Sequence, residues 1–399
     1  MLVQFLFKNF LSFKEETILD LTAINAYKEH EYNLIDIGGK EKFLKVAAIY
    51  GANASGKSNL HLAFNTFQNI IIKSLNNVSN NEEKVLDRYF FPFLFDHDND
   101  NTEFEIVQIL DNVEYQYGFE YNEKRIVHEW LYKKDLNKQR IQRVLIFERY
   151  KDEVEFGASV KRECIRYHDQ IPMEVLFLSF FNRLKLKTDI FKKVYDGITG
   201  ILVIDTDICE DRRILELILP NVIDNGKKNL LEFLSAIDTG IKDIGYEEKD
   251  KEKFFFTIHH NSQGEAFSLP LYNESEGTIK SIIIYIYAHV AIINESDMFV
   301  DELNVKLHPL LLKFIIDLFH DKKAKAQLVY TTHDTTLLDK KFFRRDQIWF
   351  VQKDEQGHSE LSALSDYKIR SDASFEKDYL AGVYGGIPFL KEFSLREGE

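Results

Sequence analysis

The sequence predicts an α/β fold: a mixed sheet with helices, an antiparallel β lobe beside it, and a helical insertion between the two halves. Three observations predict it. The apolar run 44–50 leads into a glycine-bounded loop and then into Leu60, Phe64, Phe67, Ile70 and Ile71 at helical spacing. Alternating segments separated by turn residues fill 102–156. From 277 to 331, apolar runs of helix length alternate with runs of strand length.

The first of these carries chemistry. Gly51-Ala52-Asn53-Ala54-Ser55-Gly56-Lys57-Ser58 fits the phosphate-loop pattern G-x-x-x-x-G-K-[ST] at every defined position, with the strand and helix the pattern needs on either side. Gly51 and Gly56 let the backbone curl so that successive N–H groups face an anion at the positive end of the helix. Lys57 is placed to reach the β- and γ-phosphates, and the Ser58 hydroxyl to ligate Mg²⁺. The candidate nucleotide-binding set is Gly51, Asn53, Ala54, Ser55, Gly56, Lys57, Ser58 and Asn59. A glycine turn that binds nothing would explain neither the Lys-Ser pair nor both flanks. The expectation is a chain that binds a nucleoside triphosphate.

In chain order, residues 2–7 and 16–21 read as two strands joined by Phe10-Leu11-Ser12-Phe13-Lys14, ahead of the phosphate-loop strand. The polar stretch 76–87 reads as a surface loop. Strands follow over 102–110, 113–121, 126–132, 144–150 and 154–156, with Asp111-Asn112 and Asn122-Glu123 as turns, which makes an antiparallel meander. Residues 174–240 turn mostly helical, best over 212–219 and 229–237, with 201–204 as a strand or buried connector. A hairpin is expected from 254–259 and 266–269. After it come a helix (277–294), a strand (297–301), a helix (309–319), a strand (327–331), and late strands over 348–352 and 360–363. The implied division is an N-terminal half of the nucleotide-binding unit (1–160), a mainly helical insertion (161–265) and a C-terminal half (266–399).

Three later motifs join the phosphate loop. Met298-Phe299-Val300-Asp301-Glu302 is an apolar strand ending in two carboxylates, the acidic element of a phosphate-loop ATPase. Asp301 would hold Mg²⁺, and Glu302 would polarise the attacking water as general base. Tyr330-Thr331-Thr332-His333-Asp334 follows the next strand, where His333 can sense the γ-phosphate. Ser275 and Gly277 precede the long apolar helix, where N–H groups and a hydroxyl can meet an anion. The same pair also reads simply as a helix N-cap.

Together, these four elements occur in the order found in the ATP-binding-cassette (ABC) type head of the SMC and Rad50 class, which the chain resembles. In that class two heads sandwich ATP, so the resemblance implies a homo-oligomer with Ser275 and Gly277 of one chain at the γ-phosphate of another. The chain is more similar still to the arm-less AAA-15 ATP-binding proteins, related to the overcoming-lysogenization-defect ATPases. Leu307-His308-Pro309 after the Asp-Glu pair and the ending Tyr384-Gly385-Gly386-Ile387-Pro388 carry that likeness. It implies an ATPase in a bacterial anti-phage or abortive-infection system, working beside a separate effector such as a nuclease. Glu274-Ser275-Glu276-Gly277 departs from transporter signatures in lacking the leading Leu-Ser and paired glycines, which implies a weaker donated contact or slow hydrolysis. Gln170 is the candidate for the family's Q-loop glutamine.

Composition narrows the alternatives. The net charge of −14 argues against a surface uniformly attractive to nucleic acid. Lys133, Lys134, Lys138, Arg140 and Arg143 could still form a local contact, which keeps open a DNA-repair or chromosome-maintenance ATPase as the second reading. Too little chain follows His333 for a further nuclease domain, and the signature disfavours a transporter subunit. Two cysteines, Cys164 and Cys209, fit a reducing compartment. The apolar N-terminus lacks a signal-peptide pattern, and the run 282–293 is short for a membrane span. A cytoplasmic protein that does not use a membrane is expected. His259-His260 reads as surface histidine.

Overall fold

The computed structural model describes residues 1–78, 84–95, 101–138, 140–151, 153–205, 212–237, 239–370 and 373–387. β1 (Leu2–Lys8) and β2 (Thr17–Asp20) are the expected antiparallel pair. β3 (Leu34–Asp36) and β4 (Lys42–Leu44) add a small ladder that the sequence pattern did not reveal. β5 (Val46–Gly51) is buried at every position and leads into α1 (Lys57–Lys73). The stretch expected as a loop contains α2 (Val85–Arg88), a single turn pinned by buried Val85 and Leu86. The meander follows as β6 (Thr102–Leu110), β7 (Val113–Tyr121), β8 (Ile126–Asp135), β9 (Arg143–Tyr150) and β10 (Glu153–Phe156).

Next come α3 (Lys161–Cys164), α4 (Phe177–Asn182), α5 (Ile190–Thr199), β11 (Leu202–Ile204) and α6 (Arg212–Ala236). The two helices expected inside α6 run together across a non-helical break at Gly226. The expected hairpin is a three-stranded sheet of β12 (Asp243–Lys249), β13 (Glu252–His260) and β14 (Ala266–Pro270). α7 (Glu276–Ile293), β15 (Met298–Val300), α8 (Pro309–His320), β16 (Leu328–Thr332), β17 (Ile348–Lys353), β18 (Ser359–Ala363) and α9 (Phe375–Leu380) complete the order.

Two sheets organise the molecule. The meander and the first pair join into seven strands, ordered β10-β9-β8-β7-β6-β1-β2, all antiparallel. The second sheet is ordered β11-β15-β16-β5-β17-β18, parallel except for β18. β16 therefore lies between the phosphate-loop strand and the strand that ends at Asp301. All the parallel strands present their C-terminal ends to the same edge, where α/β sheets bind ligands.

Residue parity assigns each parallel strand to two cores. Ala47, Ile49, Phe299, Val329, Trp349 and Val351 face α1 and the antiparallel sheet. Val46, Ala48, Tyr50, Met298, Val300, Leu328, Tyr330, Ile348 and Phe350 face α6, α7 and α8. Aromatic rings bind α1 to the first lobe: Phe5 lies edge-on to Phe64 at 4.9 Å, and Phe67 stacks on Phe119 at 5.6 Å. Each such buried ring contributes about 1.5–3 kcal/mol of transfer free energy.

The stretch 161–265 is shared between these cores. α4 and α5 supply Phe177, Phe181, Phe191 and Val194 to the first, whereas α6 and the three-stranded sheet supply Leu219, Phe233, Ile244 and Phe255 to the second. Among the described residues α7 alone is long and apolar enough to cross a bilayer, and here its Ile282, Ile283, Ile284 and Ile286 are buried in the second core.

Candidate functional site

The phosphate loop emerges at the C-terminal end of β5. Ala54 and Gly56 have positive φ (62° and 118°), which curls the chain before α1 begins at Lys57. A Cβ on Gly56 would lie 2.5 Å from Ser359 Oγ, so only glycine fits there. Lys57 arches over the loop, its Nζ donating to the Gly51 and Ala52 carbonyls at 2.8 and 2.9 Å. Burial lowers the Lys57 pKa, while the charges of Glu302 and Asp301 oppose that shift. The lysine and the two carboxylates thus share one electrostatic neighbourhood although 244 residues separate Lys57 from Asp301. Asn53, Ala54 and Ser58 are exposed along the loop and Asn59 is half-buried, while Gly51, Ser55 and Gly56 are buried beneath.

Asp301 is buried, and the Thr331 hydroxyl donates to its Oδ1 at 2.5 Å. The same Thr331 oxygen accepts the Glu302 N–H at 2.7 Å. Glu302 has φ 46°, a strained left-handed conformation for a side-chain-bearing residue. Its carbonyl accepts from the buried Lys280 Nζ at 3.4 Å, so contacts from two other elements hold the strained turn. His333 is exposed at the end of β16, with Nε2 3.3 Å from Asn304 Nδ2; Thr332 in turn donates to Asn304 Oδ1 at 2.8 Å.

Oxygen donors suit Mg²⁺, which is commonly held by one or two carboxylates together with phosphate oxygens. Ser58 and Asp301 offer that chemistry beside the curled loop and Lys57, so the residues present fit a magnesium-bound nucleotide. Among the described residues no group of three His, Cys, Asp or Glu side chains could hold a metal by itself.

A family profile described as "AAA domain, putative AbiEii toxin, Type IV TA system" matches residues 46–170 and 173–339, a span that takes in the phosphate loop, Asp301, Glu302 and His333. The chain belongs to this AAA-domain family. ATP is the nucleotide of an AAA ATPase domain, and in this chain β16 separates the phosphate-loop strand β5 from β15. A structure described as "Crystal structure of the SmcHead bound to the C-winged helix domain of ScpA" is 13% identical with a TM-score of 0.46, covering 94% of this chain and 99% of the other. The "SMC head domain from Thermotoga maritima" is 12% identical with a TM-score of 0.44, covering 92% and 99%. No curated protein matches the chain.

The expected signature residues, Ser275 and Gly277, lie at the start of α7. Ser275 is exposed and caps α7, its Oγ accepting from the Thr278 N–H at 3.1 Å. Gly277 packs against the backbone after Glu302: a Cβ there would lie 2.8 Å from the Lys306 carbonyl oxygen. Glu276 pairs with Lys306 at 3.0 Å. Glu274 accepts from Thr257 and meets His259 Nε2 at 2.7 Å, so His259 serves the approach to α7, which its sequence neighbours did not reveal.

Gln170 lies in a short 3-10 turn, with its amide at 3.5 Å from the Arg166 carbonyl, in a segment that packs with the first core. In the basic run, Lys134 pairs with Glu114, Lys138 with Asp135, and Arg143 lies over Tyr132 at 3.6 Å. Those charges are engaged within the meander. Cys164 is buried, and Cys209 and Pro388 lie outside the described residues.

The sequence did not point to Thr331 or Asn304 as supports, nor to Ser12, Ser359, His61 and Asp205. Pairing of Ile204 with Val300 brings Asp205 level with Asp301 at the ends of adjacent parallel strands. His61, buried on α1, has Nδ1 3.5 Å from Asp205, and burial lowers its pKa against the pull of Asp301 and Asp205. A chemistry-bearing side chain on each of two neighbouring strand ends was the available signal.

Proposed function

We propose that the chain binds and hydrolyses ATP at sites shared between two copies, and that this cycle controls a separate effector, a nuclease being the favoured class, in a bacterial anti-phage or abortive-infection system. The convergence of Lys57, Asp301 and Glu302 at one edge of the parallel sheet carries the reading. In it, the phosphate-loop N–H groups and Lys57 bind the triphosphate. Ser58 and Asp301 hold Mg²⁺, which when bound neutralises charge on the phosphate oxygens. Glu302 orients water and accepts its proton, positioned by Thr331 and Lys280. His333, held by Asn304, contacts the γ-phosphate. Ser275 and the N–H groups near Gly277 reach the γ-phosphate of a second copy. The Type IV toxin–antitoxin system in the family description supports a role beside a partner protein. Pairing of Lys134 and Lys138 with carboxylates of the meander weighs against direct action on nucleic acid as the alternative.

The test is the mass of the Glu302→Gln chain by light scattering with Mg-ATP and with ADP. ATP-specific doubling is expected; a monomer at every nucleotide concentration would remove the shared site. Co-purification with the product of an adjacent gene, released by ATP or by its hydrolysis, would supply the effector. If no such complex forms in any nucleotide state, the regulatory reading is wrong.

A further inference from the structure

Three segments far apart in sequence meet behind the phosphate loop. Ser12 lies in the turn between β1 and β2, Ser359 opens β18, and Ser55 and Asn59 flank Lys57. Ser12, Ser55 and Ser359 are 7%, 4% and 5% exposed. Ser359 Oγ is 2.6 Å from the Ser55 carbonyl oxygen and 2.7 Å from Ser12 Oγ. Asn59 Nδ2 donates to Ser12 Oγ at 2.7 Å, and the Ser359 N–H donates to the Ser12 carbonyl at 2.7 Å.

Ser359 has a single hydroxyl proton and two acceptors within reach, of which the Ser55 carbonyl, at 2.6 Å, is the shorter contact and can only accept. Ser12 Oγ is the second acceptor and also receives the Asn59 amide. The peptide joining Ser55 to Gly56 is planar and trans, so aiming its C=O at Ser359 aims the Gly56 N–H the opposite way. That N–H is one of the donors a phosphate loop turns toward its anion.

We infer that Ser359, supported by Ser12, is a positioning residue that sets nucleotide affinity by holding the Ser55–Gly56 peptide in its anion-binding orientation. This rests on the nucleotide-binding reading above. The contact exists before and during reaction alike, so its loss raises KM and leaves kcat unchanged.

Steady-state hydrolysis and binding of a fluorescent ATP analogue test it. Ser359→Ala should weaken binding and raise KM by about five- to tenfold, the effect of one buried hydrogen bond, with a lower melting temperature without nucleotide because the Ser55 and Ser12 oxygens lose a partner. Ser12→Ala should cost about twofold, because Ser359 keeps its bond to Ser55. The double variant should bind no more weakly than Ser359→Ala alone, since the two act as a unit. A wild-type KM in Ser359→Ala, a larger loss in Ser12→Ala, or a fall in kcat at constant KM would overturn the inference. Should Ser359→Ala fail to fold, Ser12→Ala decides, and an unchanged KM there overturns it. Lys57→Ala runs alongside: if wild-type binding does not depend on Lys57, the nucleotide reading itself fails. If it does, and the serine variants bind like wild type, only the positioning role falls.

Discussion

Two helix starts in this molecule, α1 and α7, have the same dipole and opposite arrangements. α1 begins after Gly56 with no side-chain cap, among buried groups from four other segments. α7 begins in the exposed Ser275, whose own hydroxyl caps it. A helix N-terminus leaves N–H groups without intrahelical partners, and something must accept from them. At α7 the chain supplies an acceptor; at α1 it supplies lysine and oriented backbone, which is a demand for an anion from outside. The difference teaches that the phosphate loop leaves its N–H donors to be met by a ligand, while the start of α7 is satisfied by its own cap.

Lys57→Ala attacks the demanding end and should have the largest effect. Thermal stabilisation by saturating Mg-ATP, which follows ligand concentration over Kd, should disappear in a melting assay. An undiminished shift would break the contrast at its base. Glu302→Gln keeps ATP-dependent stabilisation and should lower kcat by about 10²- to 10⁴-fold, the range for loss of a general base. Turnover within a few-fold of wild type would remove Glu302 from that role.

The self-capped end calls for a variant that preserves the cap. Any side chain at Gly277 would collide with Lys306, so a substitution there disturbs the turn after Glu302 as well as the signature. Ser275→Asp is cleaner, because aspartate caps about as well as serine while placing a negative charge where a partner's phosphate would come. Melting without nucleotide should be unaltered and hydrolysis should fall by about 10²-fold or more, the scale of a lost oxyanion donor. Mixing this chain with Lys57→Ala should restore part of the activity, because each mixed pair has one sound loop facing one sound signature. No rescue in verified mixed oligomers would place Ser275 outside a shared site or require both sites to act together. The smallest effect is expected from Thr331→Val, which strips the contacts to Asp301 and the Glu302 N–H. It should lower stability by about 1–3 kcal/mol through the orphaned polar groups, measured by urea unfolding, and reduce kcat moderately.

The parts of the site legible in the sequence were those fixed by local chemistry. A glycine loop between strand and helix, an apolar strand ending in Asp301-Glu302, and the alternation over 102–156 announce themselves within a few residues. Supports such as Thr331 for Asp301, Asn304 for His333 and Ser359 for Ser55 are ordinary hydroxyls and amides whose partners lie 29 to 304 residues away. Nothing local distinguishes them from surface polar residues. β12 was missed for a related reason: its sequence, DIGYEEK, is mostly polar, and pairing with β13 over seven residues makes it a strand. The two helices expected over 212–219 and 229–237 are distinct because the non-helical backbone at Gly226 breaks α6 between them.

The left-handed backbone at Glu302 sets chemistry against durability. A residue with a side chain is strained at φ 46°, and glycine adopts that conformation at little cost. Glu302→Gly should therefore lose hydrolysis yet recover part of the strain, offset by the entropy glycine adds to the unfolded chain. Libraries selected only for heat resistance should drift toward glycine at this position, and those selected for turnover should hold the carboxylate. On the proposed role of Glu302, this turn holds a strained residue because hydrolysis would stop without its carboxylate.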